Sequence, residues 1–205
     1  MRYQELYSNF RQTPVFSLND IRNIDHNFYR PRLNEWQEKG YIRKIIRGYY
    51  SFPENMQSES SLFEIANRIY SPSYVSCETA LAYYGLIPEG VYQMTSVTTL
   101  KSYLFRTAAG SFRYRSIDPR LFFGYEPVRK NGDIFKIALP EKAVLDLLHY
   151  NAGLKDVEAL AGMRLNTVKL KELITGAKFN TFVKRAVDGM LVKRVAALKE
   201  YIKHA

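Results

Sequence analysis

Eight side chains between Tyr29 and Arg47 are of the kinds that read nucleic acid, not the kinds that break bonds. Tyr29, Arg30, Arg32, Asn34 and Gln37 fall within HNFYRPRLNEWQEKG. Arginine pairs bidentately with a guanine edge, asparagine and glutamine pair with adenine, and all of them can hold a phosphate oxygen. Arg43, Lys44 and Arg47 follow in YIRKIIRGYYSF, a β-prone run whose cations would neutralise backbone phosphates. The chemistry implied is recognition of double-stranded DNA by hydrogen bonds and counter-charge, without a covalent step.

Residues suited to a covalent step are sparse. His26, His149 and His204 are scattered and form no i, i+4 pair, so no zinc site is read. Cys77 is the single cysteine, which excludes an internal disulfide framework and a thiolate cluster; it is expected to pack as a small hydrophobe. There is no GxSxG, P-loop or GxGxxG pattern. Asp118, Glu126, Asp133 and Lys136 lie among β-prone segments and invite comparison with a nuclease centre, but turn and surface roles fit their spacing better. The sequence therefore names no catalytic residue, no metal ligand and no cofactor, and the chain reads as a non-enzyme.

The elements needed to present the recognition residues are written around them. Leu33 and Trp36 share a helical face, Pro31 sits in a first turn and Gly40 closes the helix, which predicts a recognition helix over Tyr29 to Lys39. Arg47-Gly48 between two Ile/Tyr-rich runs predicts a hairpin wing. Upstream, Tyr3, Leu6, Tyr7 and Phe10 recur at i, i+3, i+4, i+7. Ser17 and Asp20 form a capping-box pattern opening a second helix with the stripe Leu18, Ile21, Ile24. Three short helices and a hairpin within residues 1–52 predict a winged helix-turn-helix.

Polar, aperiodic residues 53–61 read as a linker, and residues 62–205 as a second domain. A helix near Leu62 to Ile69 and a stripe Ala80, Leu81, Tyr84 stopped by Gly85 come first. β-prone segments follow at 92–98, 103–106, 112–117, 122–128 and 134–139, with Asn131-Gly132 as a type I′ hairpin signal. Pro140 opens a helix directing Ala143, Val144, Leu147 and Leu148 inward. From Lys155 onward the pattern is helical, with Val183, Val187, Leu191, Val195, Leu198 and Ile202 as one stripe and Lys184, Arg185, Lys193, Arg194, Lys199 and Lys203 around it. The fold class is α+β: an N-terminal winged helix-turn-helix, then a mixed α/β domain with an antiparallel sheet and a helical C-terminal region.

The net charge of +10 is unevenly spread over the 205 residues. Lys and Arg number nine against five acids in residues 1–52, ten against ten in 53–154 and eleven against five in 155–205. Basic ends around a neutral middle suit a polyanionic partner. The N-terminus lacks the apolar run of a signal peptide, and no window reaches the ~18 uninterrupted apolar residues of a membrane span, so a cytoplasmic protein with no membrane partner is expected.

PVFSLNDI, RPRLNEWQEKGYIRKIIRGYYSF, SYVSCETALAYYGLIPEGV, MTSVTT and IALPEKAVLDLL, in that order, resemble antitoxins of the AbiEi type, the transcription-regulator half of bacterial type IV toxin-antitoxin (abortive infection) systems. The resemblance runs from about Thr13 to Asn151. It implies an autoregulating repressor that binds an inverted-repeat operator and counters a nucleotidyltransferase-type toxin without requiring a stable complex. By motif position it places Tyr29, Arg30, Arg32 and Asn34 in the major groove and Arg43, Lys44 and Arg47 on the wing. A second reading of the residues is a protein-binding module that sequesters a partner, with the winged helix as scaffold.

Overall fold

The computed structural model describes residues 1–88, 90, 92–186 and 189–204. It is a mixed α+β protein with two hydrophobic cores, a small one from within the first fifty or so residues and a large one from the remainder together with Val15 and Ile45.

The small core begins with α1 (Tyr3–Phe10), which buries Leu6 and Phe10. A two-residue strand β1 (Phe16–Ser17) leads into α2 (Leu18–Ile24). The capping box is formed as expected: Ser17 Oγ accepts from the Asp20 N–H at 3.1 Å and Asp20 Oδ2 accepts from the Ser17 N–H at 2.7 Å. Two amide donors at the helix start are thereby satisfied. Ser17→Ala should therefore lower stability by ~1 kcal/mol, measured as a small drop in the urea midpoint at unchanged slope. Of the expected stripe, Ile21 is buried, Leu18 half-buried and Ile24 52% exposed. A seven-residue helix presents only two turns, and the small core reaches no further than its middle.

α3 (Arg32–Glu38) is shorter than the Tyr29–Lys39 span read from sequence. Residues 29–31 form instead a tight turn in which the Arg32 N–H bonds the Tyr29 carbonyl and the Leu33 N–H bonds that of Arg30. Proline at 31 disfavours helical backbone at the residue before it, which delays the helix start. β2 (Arg43–Ile46) and β3 (Tyr49–Ser51) pair antiparallel, and β1 adds to β3, giving the order β1-β3-β2. Gly48, at φ +87°, supplies the left-handed turn between them.

The stretch read as a linker is built into the fold. Pro53–Met56 is a 3₁₀ turn, and Ser58 caps α4 (Glu59–Ile69). Asn55 Nδ2 donates to the carbonyls of Arg11 and Thr13 at 3.1 and 3.0 Å, and Ser51 Oγ donates to that of Pro14 at 2.6 Å. Ser60 and Ser61 are buried because their hydroxyls hold Asp133 at 2.6 and 3.0 Å.

The large core is organised by β4 (Ser73–Val75), β5 (Gln93–Thr98), β6 (Tyr103–Thr107), β7 (Gly110–Ser116), β8 (Tyr125–Lys130) and β9 (Asp133–Ala138). These form one sheet in the order β6-β7-β5-β4-β9-β8. Three of its pairings, β4–β5, β6–β7 and β8–β9, are antiparallel as expected, but the sheet is mixed: β5 runs parallel to β7, and β4 to β9 through Val75 and Ile137. Asn131 and Gly132 both have positive φ, as a type I′ turn between β8 and β9 requires. β4 was not foreseen, since three residues buried on both faces carry no alternation.

α5 (Cys77–Tyr83) and α6 (Pro140–Tyr150) lie on one side of the sheet and α4 on the other, where the Tyr114 hydroxyl donates to the Ala66 carbonyl at 2.6 Å. α6 is buried continuously from Glu141 to Leu148. It is wrapped by α8 (Thr167–Thr175), α9 (Ala177–Ala186) and α10 (Gly189–His204), and α7 (Val157–Ala161) packs on α10. Val187 of the C-terminal stripe lies outside the described residues. Part of the basic tail is structural: Arg194 is buried and its Nη1 donates to the Leu148 and His149 carbonyls at 2.7 and 3.2 Å, closing the C-terminal end of α6. Lys199 Nζ donates to Asn180 Oδ1 at 3.0 Å, and the Arg185 guanidinium lies 4.1 Å from the Phe123 ring centre.

Candidate nucleic-acid interface

The small core turns one side of α3 inward through Leu33 and Trp36, at 1% and 5% exposure, with Trp36 against Tyr3 and Phe28, and Tyr3 in turn edge-on to Phe52. Tyr3 links three elements at once, with its ring centre 4.6 Å from Tyr41 and 5.9 Å from Trp36. An anchored aromatic face of this kind fixes the orientation of what the helix shows to solvent.

Tyr29 stands 64% exposed, and Arg30 and Asn34 are exposed beside it. Gln37 is half-buried, and its Nε2 donates to the Leu33 carbonyl at 2.8 Å. Arg32 is drawn the other way: it is half-buried, and its Nη1 donates to the Met1 carbonyl. The Asp25 carboxyl is held below its ordinary range chiefly by a hydrogen bond from the Met1 ammonium, with the Arg32 charge a smaller contributor. Arg32 thus joins the N-terminal residue, the α2–α3 turn and α3, and the solvent-facing donors of the expected recognition helix reduce to Tyr29 and Arg30, in the turn that precedes α3, and Asn34 on it. Glu35 and Glu38 are also exposed on α3.

On the hairpin, Arg43, Lys44 and Arg47 are all exposed. The ribbon that carries them is not free-standing. Val15 and Ile45 belong to the large core, and Ile46 and Tyr49 pack against it. Asp20 accepts from Arg68 of α4 at 3.0 Å, a further tie between α2 and the larger body. The cations are consequently offered from a hairpin braced along its inner side. Among the described residues none of Arg30, Arg43, Lys44 and Arg47 has an acidic partner.

The residues considered for a nuclease centre stay apart. Asp118 is bound by Arg120 through two side-chain contacts, at 3.0 and 2.8 Å, which hold its carboxyl at about 2. Asp133 is occupied by Ser60 and Ser61, while Glu126 and Lys136 are exposed on β8 and β9. Among the described residues no group of three His, Cys, Asp or Glu is placed to hold a metal ion. Cys77 is fully buried and burial pushes its thiol well up, in keeping with packing and against reactivity. No helix among the described residues is long and apolar enough to cross a membrane. Comparison with protein-family models and with curated proteins returns no match.

Proposed function

We propose that the chain is a sequence-specific DNA-binding repressor, the autoregulating antitoxin of a type IV toxin-antitoxin system. The observation that carries the DNA-binding part is the set of unpaired, exposed donors Arg30, Asn34, Arg43, Lys44 and Arg47 on a short helix, the turn that opens it and the hairpin that follows it. The order helix, strand, helix, helix, strand, strand, with β3 between β1 and β2, supports a winged helix-turn-helix. In that arrangement α3 enters the major groove and the hairpin lies along the backbone. Base edges are met by Arg30 and Asn34, whose planar groups match guanine and adenine bidentately, and phosphates by the three hairpin cations. The antitoxin part rests on the motif resemblance alone, and the nucleotidyltransferase-type toxin it implies remains a partner by proposal.

Fluorescence anisotropy of the protein with the duplex upstream of its own gene, and with a scrambled duplex, tests the reading. Three hairpin cations on phosphates predict a slope of about −2.7 in log affinity against log salt, at ~0.9 per phosphate neutralised. Equal affinity for both duplexes, or a slope near zero, would point instead to the partner-binding scaffold. That second reading is favoured by one observation, the acidic pair Glu35 and Glu38 exposed on the same helix.

A further inference from the structure

The open face of the sheet over β6 and β7 carries charge that the DNA-binding unit does not use. Along β7, Phe112 and Tyr114 point into the core while Arg113 and Arg115 alternate to the opposite face. Pairing places Leu104 of β6 and Thr95 of β5 beside Arg113, and Val97 beside Arg115. An inner strand with two arginines on one face needs a reason, because helices normally cover that position with apolar contacts. Here the helices cover the β5, β4 and β9 end of the sheet, and a cleft of about 480 Å³ is left over β7.

Its lining is mixed in a specific way. Arg113, Arg115 and Gln93 form the floor, Glu78 of α5 stands on one wall, and Ile87 and Met163 supply apolar surface. Tyr92, fully exposed, lies at the rim. Arg115 is steadied by the Tyr150 ring, 5.0 Å from its guanidinium carbon. Among the described residues Arg113 has no acidic partner, and Glu78 forms no ion pair with either arginine. Two arginines two residues apart on a strand stand ~6.6 Å apart, close enough to grip one phosphate group between them. A carboxylate, an amide, apolar walls and a rim aromatic beside such a grip match the remaining parts of a nucleotide: sugar hydroxyls or base amines, and a base that stacks.

We propose that this cleft binds a nucleotide, its phosphate on Arg113 and Arg115 and its base against Ile87, Met163 and Tyr92. The nucleotide is either free or the end of a single strand; a duplex is too wide for the cleft. This site is separate from α3 and the hairpin and does not depend on their reading.

The test uses the full chain and a single-stranded tetranucleotide with a 5′-phosphate and a 3′-fluorescein, followed by anisotropy. Binding should weaken at least about tenfold in Arg113→Glu, the scale of one charge-assisted hydrogen bond. It should be unchanged in Arg129→Glu, an exposed position on β8 at the far edge of the sheet. Arg113 is exposed, so its variant should melt like the wild type. Competition by AMP assigns a free nucleotide; competition by unlabelled tetranucleotide but not AMP assigns a strand end. Inorganic phosphate competing as well as AMP and tetranucleotide, equal weakening in Arg129→Glu, or no binding at millimolar protein overturns the proposal. No preference for the native duplex in the wild-type chain, with its tetranucleotide binding present, would remove the repressor reading and leave this one standing.

Discussion

Asp146→Ala is expected to unfold the larger body under conditions where the wild type is fully folded. Asp146 is 1% exposed and forms an ion pair with Lys142, 3% exposed, one turn earlier on α6. Its other oxygen accepts from the Tyr74 hydroxyl at 3.0 Å and the Ser76 hydroxyl at 2.7 Å, so a single carboxylate serves α6, β4 and the start of α5. Removing it strands an ammonium whose remaining neighbours are the Tyr74 and Phe123 rings, at 5.6 and 5.3 Å. Breaking a buried pair from one side costs ~3–5 kcal/mol, and each hydroxyl left without an acceptor costs ~1–3 kcal/mol more, with partial overlap. Against a total stability of ~5–15 kcal/mol this is most of the margin. Urea unfolding followed by far-UV circular dichroism would read it directly. Lys142→Met combined with Asp146→Leu should recover the ion-pair part of the loss, because a packed apolar pair carries no desolvation penalty, but not the part owed to the Tyr74 and Ser76 hydroxyls. A single variant within ~1 kcal/mol of wild type would mean that water reaches Lys142 and that the site is not dry.

That cluster also shows where the sequence ran out. IALPEKAVLDLL reads correctly as a helix with Ala143, Val144, Leu147 and Leu148 inward, yet nothing in its spacing says that the charged positions are inside too. An i, i+4 Lys–Asp pair on an amphipathic helix is ordinarily solvent-facing; here α9 and α10 close over it, a decision made by elements more than thirty residues away. The same limit explains residues 53–61. Serine and asparagine mark a linker when their hydroxyls and amides face water, and only the tertiary partners Asp133, Arg11 and Thr13 turn them into fasteners, buried at Ser60 and Ser61 and half-buried at Asn55. Local signals survived because they are decided locally: the Ser17 to Asp20 box, the Gly48 and Asn131-Gly132 turns, and Pro140 at a helix start all stand where their chemistry puts them. In the candidate interface the residue types were legible and their directions were not. Arg32 and Arg30 look equivalent on paper, but one meets the Met1 carbonyl and the other meets solvent. The alternation FRYRS in β7 held the clue to the cleft, since arginines between buried aromatics must share a face.

Replacing Arg30 and Asn34 together by alanine should abolish preference for the native duplex while leaving the protein folded. Both are exposed and outside the aromatic core that seats α3, so the melting temperature should stay where it was. If each side chain makes one bidentate base contact, the loss is ~1–3 kcal/mol apiece, or roughly 5- to 150-fold for each change on the specific site and little on a scrambled one. Arg47→Ala should behave differently. A hairpin cation that meets only phosphate carries no sequence information, so affinity should fall alike on both duplexes and the salt slope should flatten by about 0.9. Arg32→Ala forms a third pattern: its guanidinium joins the N-terminal residue to α3, so it should lower the melting temperature and weaken DNA binding only through that loss. The three variants measured side by side therefore separate reading, gripping and scaffolding. Should Arg32→Ala prove fully stable yet blind to sequence, the guanidinium must leave Met1 on binding DNA, and the reading surface would be Arg30, Arg32 and Asn34 together.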